Sequence, residues 1–137
     1  MGEKLDFTPL GRAVERLQEG LARYELDISD RLIRDGLIQR FEFTYELSHK
    51  MLKRYLKSRA ANPSELDSMS FQDLIRSGSE HGLLAEGWPA WRTYREMRGK
   101  TSHTYDETIA LEVVADIPRF MAEALFLYQQ LTGEQSR

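Results

Sequence analysis

The segment MRGKTSHTYDE, residues 97–107, holds the side chains of this sequence that could do chemistry together. Arg98 and His103 stand there with four residues between them. An imidazole can take a proton from a ribose 2′-hydroxyl, or give one to a leaving 5′-oxygen, near neutral pH. A guanidinium can hold phosphate oxygens bidentately and stabilise charge that builds on phosphorus. The pair would therefore suffice for RNA cleavage by internal transesterification without a metal.

The residues between the pair could strengthen a phosphate site. Lys100, Thr101 and Ser102 could contact the phosphate, as could free backbone donors at the start of the next helix. The alternative is structural, because an arginine and a histidine near a helix junction often cap carbonyl groups or pair with a carboxylate. A single pair also lacks a second proton-transfer group, which a two-fold dimer that apposes two junctions would supply.

Capping patterns predict that this segment is a tight helix–loop–helix junction. Gly99 follows the last periodic residue of a short helix and is predicted to end it in the left-handed conformation. Thr104 and Glu107 have the spacing of a capping box for the next helix. On one continuous helix, side chains five residues apart would diverge by about 140°. A junction could instead turn Arg98 and His103 toward a common point.

Three long amphipathic helices must position this junction. Apolar spacings of three and four predict a first helix over Leu10 to Tyr24 and a second helix after an N-cap at Asp30. The last helix is predicted from Ile109, with a kink at Pro118 and an end at Gly133.

Two shorter helices are predicted between the second and the last long helix. One begins near Phe71, is capped by Ser70, and stops at His81-Gly82; the other covers Ala90 to Arg98. The expected fold is therefore all-α, an antiparallel four-helix up-and-down bundle with an additional short helix. Residues 1–137 are expected to form a single domain.

Composition narrows the function classes. The chain has 137 residues, no cysteine and a formal net charge of −3, which removes thiol chemistry and Cys-ligated zinc. A duplex-coating protein would be basic overall, so a nucleic-acid role must rest on a local patch. No apolar run approaches the length that crosses a bilayer, and the N-terminus MGEKLDF lacks the apolar core of a signal peptide. A cytoplasmic protein without membrane contact is expected.

Two blocks of the sequence resemble signatures of one family. IQRFEFTYELSHKMLKRYL (Ile38 to Leu56) is similar to the second-helix signature of the nucleotidyltransferase substrate-binding proteins, and RGKTSHTYDE (Arg98 to Glu107) is similar to their C-terminal signature. These proteins are all-helical partners of minimal nucleotidyltransferases within the HEPN superfamily. The resemblance covers nearly the whole chain. It implies a four-helix bundle that forms a homodimer and associates with a separately encoded nucleotidyltransferase.

The resemblance also implies a role for each residue of the motif. Related HEPN proteins are toxins whose Arg-x4-6-His motif carries metal-independent RNase activity at the dimer interface. In some pairs the nucleotidyltransferase acts as antitoxin by transferring AMP to a tyrosine two residues after the histidine. The corresponding positions here are Arg98, His103 and Tyr105. The sequence departs from the family at Gly99, where a polar residue is common, and at His49, where tryptophan is usual.

Two functions therefore remain open at this stage. The first is a partner subunit that binds a nucleotide or phosphate group at a dimer-interface Arg-x4-His-x-Tyr site without catalysis; Gly99 and the acidic net charge favour it. The alternative is an RNase toxin, in which His103 transfers protons, Arg98 steadies the phosphorane and AMP on Tyr105 silences the site. The intact motif favours this alternative. Neither function calls for a cofactor.

Three further features have competing interpretations. Glu46 and His49 form half of a di-iron motif, but no second Glu-x-x-His accompanies them, so no metal is expected. Trp88 and Trp91 could stack on a base or anchor the core. The basic helix end from Lys50 to Arg59 could attract RNA or a partner, or could simply complement the helix dipole.

Overall fold

The computed structural model is an all-α bundle, as the sequence predicts. It describes the backbone of residues 5–136 and the side chains of residues 5–133, so residues 1–4 of the N-terminus considered above lie outside the described part. The described helices are α1 (Thr8–Leu26), α2 (Arg31–Arg59), α3 (Glu65–Ser68), α4 (Phe71–Glu80), α5 (Trp88–Lys100), α6 (Glu107–Ala115) and α7 (Ile117–Ser136). A 3₁₀ turn, Thr101–His103, joins α5 to α6. Across this described part, no helix is both long and apolar enough to traverse a bilayer.

The first two helices follow the predicted pattern. The Asp30 carboxylate accepts a hydrogen bond from the Ile33 backbone N–H at 3.1 Å, which confirms the N-cap of α2. Helix α1 packs against α2, and both helices contact α7. The predicted apolar face of α1 is buried at every position: Leu10, Val14, Leu17, Leu21 and Tyr24. These three helices enclose one side of the core.

The segment after α2 contains one predicted helix and one that the sequence does not reveal. Ser70 caps α4 as predicted, because its hydroxyl oxygen accepts from the Asp73 N–H at 3.1 Å. Helix α4 ends at Glu80, and Gly82 follows with φ of 72°. The four-residue helix α3 lies in the Asn/Pro/Ser-rich break and has no apolar period that could have predicted it.

The predicted last helix is divided in two. Asp116 separates α6 from α7, and Pro118 lies in the first turn of α7, where a missing N–H costs nothing. The predicted kink is therefore present, as a break. The predicted end at Gly133 is wrong, because α7 continues to Ser136. Glycine permits the left-handed conformation that ends a helix but does not impose it.

An aromatic cluster fixes α5 against α2 and α7. Phe120 meets Phe41 and Tyr94 edge-to-face, with ring centroids 5.0 and 5.2 Å apart. Trp91 packs edge-on to Tyr94 at 5.4 Å and is fully buried, so it is a core anchor and cannot stack on a base. Trp88 packs edge-on to Phe71 at 5.7 Å. Both tryptophans thus serve packing.

A buried carboxylate holds the loop before α5. Glu123 of α7 is 2% exposed. It accepts hydrogen bonds from the Ala85 and Glu86 backbone N–H groups at 3.0 and 2.9 Å and from the Trp91 indole at 2.8 Å. Burial raises the pKa of the Glu123 carboxyl above its usual value. The start of α5 is therefore tied to α7 by one side chain.

Candidate functional site

The junction between α5 and α6 differs from its predicted form at Gly99. Helix α5 continues through Gly99 to Lys100, and Gly82 is the only described residue with positive φ. The left-handed Gly99 cap is therefore wrong. The Thr101 hydroxyl donates to the Arg98 carbonyl at 2.8 Å, and the Thr101 N–H also bonds to that carbonyl. These bonds satisfy a helix-end acceptor without any left-handed residue.

The cap of α6 also differs from the prediction. Asp106 is the N-cap, and its carboxylate accepts from the Ile109 N–H at 3.1 Å. The Thr104 hydroxyl instead donates to the Thr101 carbonyl at 3.2 Å. Glu107 forms a bidentate pair with the buried Arg34 of α2, at 2.7 and 3.0 Å. The predicted Thr104–Glu107 capping box is wrong because Glu107 is held by this distant arginine.

Arg98 is bound by two glutamates of α2. Its Nη2 and Nε donate to one Glu46 carboxylate oxygen at 2.5 and 3.2 Å, and its Nη1 lies 3.7 Å from Glu42. Nη1 also donates to the Thr101 hydroxyl at 3.0 Å. The hydrogen bonds that Arg98 donates to Glu46 raise the pKa of Arg98 above its ordinary value. The Arg98 side chain is 34% exposed, so a phosphate could reach it from solvent but would have to compete with these carboxylates.

His103 and Tyr105 lie at the exposed side of the same junction. Their ring centroids are 6.2 Å apart, and Tyr105 is 87% exposed. Among the described residues, no hydrogen bond joins His103 to Arg98, whose donors go to Glu46 and Thr101. The structure thus gathers the motif on one short segment, but it forms no hydrogen bond between the arginine and the histidine among the described residues.

The three predicted phosphate contacts have different surroundings. Thr101 is buried, and its hydroxyl is engaged with Arg98. Lys100 pairs with Glu112 of α6 at 3.2 Å. Ser102 is exposed. Only Lys100 and Ser102 therefore present a group that a phosphate could approach from solvent.

Sequence reasoning missed Glu42 and Glu46 as partners of Arg98. Their spacing of four places them on one face of α2, but nothing in the sequence links that face to the junction. His49, the histidine of the Glu-x-x-His half-motif, packs edge-on to Phe71 with ring centroids 4.9 Å apart. Burial lowers the pKa of His49. Within residues 5–133, no group of three or more His, Cys, Asp or Glu side chains is placed to hold a metal ion.

The fold and the junction together define an all-helical bundle with an Arg-x4-His-x-Tyr motif that begins at the end of α5 and reaches the surface at His103 and Tyr105. The chain belongs to the nucleotidyltransferase substrate binding protein-like family, whose model matches residues 5–133. This confirms the resemblance seen in the sequence.

A named relative and a solved structure, both from Haemophilus influenzae, are similar to this chain. One, named a probable ribonuclease HepT, is 37% identical over an alignment that covers 96% of this chain and 94% of that protein. The other is a solved structure described as the fold of a substrate-binding domain of a nucleotidyltransferase. It is 35% identical, with a TM-score of 0.86 over 93% of this chain and 99% of that one.

Proposed function

We propose that this protein is the partner of a small nucleotidyltransferase and that two copies of its junction form a metal-independent RNase. The observation that supports this is the placement of exposed His103 and exposed Tyr105 on the short junction that follows Arg98 at the end of α5. The relative named as a probable ribonuclease aligns along nearly the whole chain, which adds weight to cleavage.

The reaction uses the histidine as a proton carrier. The His103 imidazole accepts the proton of a ribose 2′-hydroxyl, and the 2′-oxygen forms a bond to phosphorus. The bond from phosphorus to the 5′-oxygen then breaks. The protonated His103 of a second copy of the chain gives that oxygen a proton. The products are a 2′,3′-cyclic phosphate and a 5′-hydroxyl. Arg98 stabilises the charge on the phosphorane once it exchanges Glu46 for a phosphate oxygen.

Tyr105 gives the partner enzyme a means of control. The phenol oxygen attacks the α-phosphorus of ATP, pyrophosphate leaves, and the phenol proton passes to solvent. The product carries AMP at a ring that lies 6.2 Å from His103. The added bulk and negative charge would exclude an RNA phosphate. An exposed phenol suits this role because the partner's active site must enclose it.

One observation favours the second candidate, a subunit that binds a nucleotide without cutting RNA. Arg98 is already paired with Glu46 and Glu42, and Gly99 brings no polar side chain to the site. In that version Arg98, Lys100 and Ser102 would hold a nucleotide phosphate for the partner enzyme to use. The first candidate requires cleavage by this chain alone, whereas the second requires only binding.

A cleavage assay on the purified chain separates the two candidates. Labelled RNA is incubated with the protein in EDTA, and the ends of the products are identified. We expect His103→Ala to lose about 10²–10⁴-fold in rate, the usual contribution of a positioned proton-transfer group. Arg98→Ala should lose about 10²–10³-fold, the usual contribution of a donor that stabilises transition-state charge. His81→Ala is the matched histidine control, since His81 only bonds the Ser77 carbonyl at the end of α4. Arg92→Ala is the matched arginine control.

The outcomes are distinct. If the wild-type protein leaves RNA intact, the RNase proposal fails, and AMP binding that depends on Arg98 would support the second candidate. Light scattering tests the dimer, because a monomer could not supply the second histidine. Co-expression with the nucleotidyltransferase, followed by mass spectrometry, tests the control step: we expect an AMP adduct on Tyr105 that Tyr105→Phe abolishes.

A further inference from the structure

The C-terminal half of α2 and the short helix α3 form a basic groove on the surface. Its volume is about 460 Å³. The lining residues carry four cations, one carboxylate and one hydroxyl: Lys50, Lys53, Arg54, Lys57, Asp67 and Ser58. We call this feature the α2–α3 groove. In a chain with a net charge of −3, it is a local concentration of positive charge.

Two lysines of the groove already converge on one anion. Lys57 Nζ lies 3.1 and 3.0 Å from the two oxygens of Asp67, and Lys53 Nζ lies 3.4 Å from one of them. The hydrogen bond from Lys57 is the main reason that the pKa of Asp67 is lowered. Lys53 and Lys57 stand one turn apart, and their side chains are 35% and 37% exposed. The pair is therefore spaced to hold an anion with two oxygens and is open to solvent.

The groove continues the face of α2 that carries the partners of Arg98. With 3.6 residues per turn, positions 42, 46, 50, 53 and 57 fall within an arc of about 80°. The rise of 1.5 Å per residue places Lys50 about 6 Å and Lys57 about 17 Å along the axis from Glu46. A long polyanion that entered the groove would thus run along the helix toward the junction.

We propose that the α2–α3 groove binds the phosphate backbone of single-stranded RNA. A phosphate would take the place of Asp67 between Lys53 and Lys57, and neighbouring phosphates would meet Lys50 and Arg54. The lining favours a nucleic acid over a protein partner, because the centre of a protein interface is depleted in charged residues. It offers no aromatic ring for stacking, so the contact is with the backbone and is independent of sequence. The groove needs neither Arg98 nor His103, but the choice of RNA as the polyanion rests on the proposed function.

Charge reversal in the groove tests the site. A fluorescent single-stranded oligoribonucleotide of about 12 nucleotides, within the usual range of single-strand binding sites, is titrated with the full chain carrying His103→Ala. That background prevents any loss of the probe to cleavage. Adding Lys53→Glu and Lys57→Glu should weaken binding about tenfold or more and reduce the salt slope by about 1.4, or 0.7 per lost phosphate contact.

Equal charge reversal elsewhere is the control. Arg12→Glu with Arg23→Glu changes two exposed cations of α1 and gives the same net charge. We expect this variant to weaken binding less than about threefold, since exposed charges distant from the ligand are screened. Equal losses for the two double variants would overturn the proposal, as would failure of the parent protein to bind the probe. Circular dichroism confirms that each variant is folded.

Removal of the internal anion should have the opposite effect. Asp67→Asn leaves Lys53 and Lys57 without their carboxylate, so we expect RNA affinity to rise about three- to tenfold. Glu15→Gln removes an exposed carboxylate of α1 and should change affinity less than about twofold. Unchanged or weaker binding by Asp67→Asn would overturn the proposal. If the wild-type protein binds RNA through the groove but does not cleave it, the RNase proposal fails and the groove proposal stands.

Discussion

The two ends of α5 are both held by glutamates, but in opposite settings. At the start, Glu123 is buried and accepts three hydrogen bonds from the loop before α5 and from Trp91. At the end, Glu46 is exposed and pairs with Arg98 across the gap to α2. Glu123 accepts hydrogen bonds from neutral donors and is shielded from water. Glu46 pairs with a charged guanidinium at the surface, in contact with water.

This difference separates a structural contact from a replaceable one. A buried acceptor cannot be lost without leaving its donors unsatisfied, which is costly. An exposed ion pair contributes only about 0–1 kcal/mol, because water solvates both charges when they part. A ligand phosphate could therefore replace Glu46 on Arg98, whereas nothing could replace Glu123. Helix α5 has a fixed start and an end that can exchange partners.

The largest expected effect is loss of stability at the fixed end. Glu123→Ala leaves one buried and two part-buried donors without an acceptor and creates a cavity, so we expect the free energy of unfolding to fall by about 3–5 kcal/mol. Glu46→Ala, its counterpart at the other end, should cost less than about 1 kcal/mol. Urea denaturation measures both. Similar losses would mean that the two ends are not distinct.

Two glycines provide the next test, with opposite signs. Gly99 is helical, and an added methyl group would meet no atom within 4 Å, so Gly99→Ala should stabilise the protein by about 0.5–1 kcal/mol. Gly82 has φ of 72°, so Gly82→Ala should destabilise it by about 1 kcal/mol. Thermal unfolding resolves both changes. Destabilisation by Gly99→Ala would instead support a left-handed end of α5.

A smaller effect is expected on ligand affinity at the C-terminal end of α5, where Arg98 pairs with Glu46. Glu46→Gln removes the negative charge that competes with a ligand phosphate for Arg98. We therefore expect AMP to bind about two- to fivefold more tightly, which corresponds to the free energy of one exposed ion pair. Calorimetric titration measures the affinity. The same substitution in an Arg98→Ala background should have no effect, since the coupling is carried by the guanidinium. An equal gain in both backgrounds would exclude a competition between Glu46 and the ligand.

The smallest effect concerns pH. Burial raises the pKa of Glu123 in the folded state, so the unfolded chain ionises first as the pH rises above about 4.5. The free energy of unfolding should therefore fall as the pH rises from about 4.5 toward the raised pKa of Glu123. Glu123→Gln should remove this pH dependence. The hydrogen bond from Arg34 lowers the pKa of Glu107. The Arg34–Glu107 pair therefore stabilises the fold above about pH 4.5, and this stabilisation is lost as the pH falls. Urea unfolding of both Gln variants across this range checks the two signs.

The local features of this fold could be predicted from sequence, whereas its tertiary pairings could not. Asp30 and Ser70 cap their helices as predicted because an N-cap depends on a donor only three residues away. The Thr104–Glu107 capping box failed because Glu107 pairs with Arg34, which lies 73 residues earlier. Neither that pairing nor the burial of Glu123 leaves a periodic signal in the sequence.

The candidate site shows the same division. The sequence identifies Arg98, His103 and Tyr105, and the structure places all three on or beside one turn. It does not identify Glu46, which lies 52 residues from Arg98 and competes for its donors. The predicted convergence of Arg98 and His103 relied on a left-handed Gly99, and that turn is not formed. Among the described residues the pair makes no hydrogen bond, because the Arg98 donors go to Glu46 and Thr101.

The length of α2 has a consequence for how this protein can vary. Arg34, Glu46 and Lys57 contact α6, α5 and α3 from a single helix of 29 residues. One residue inserted between positions 46 and 53 would rotate everything beyond it by about 100° and carry the basic side chains out of phase with the junction. Seven residues would nearly restore the phase while moving the groove about 10 Å away. Relatives can thus change residue types along this helix far more easily than they can change its register.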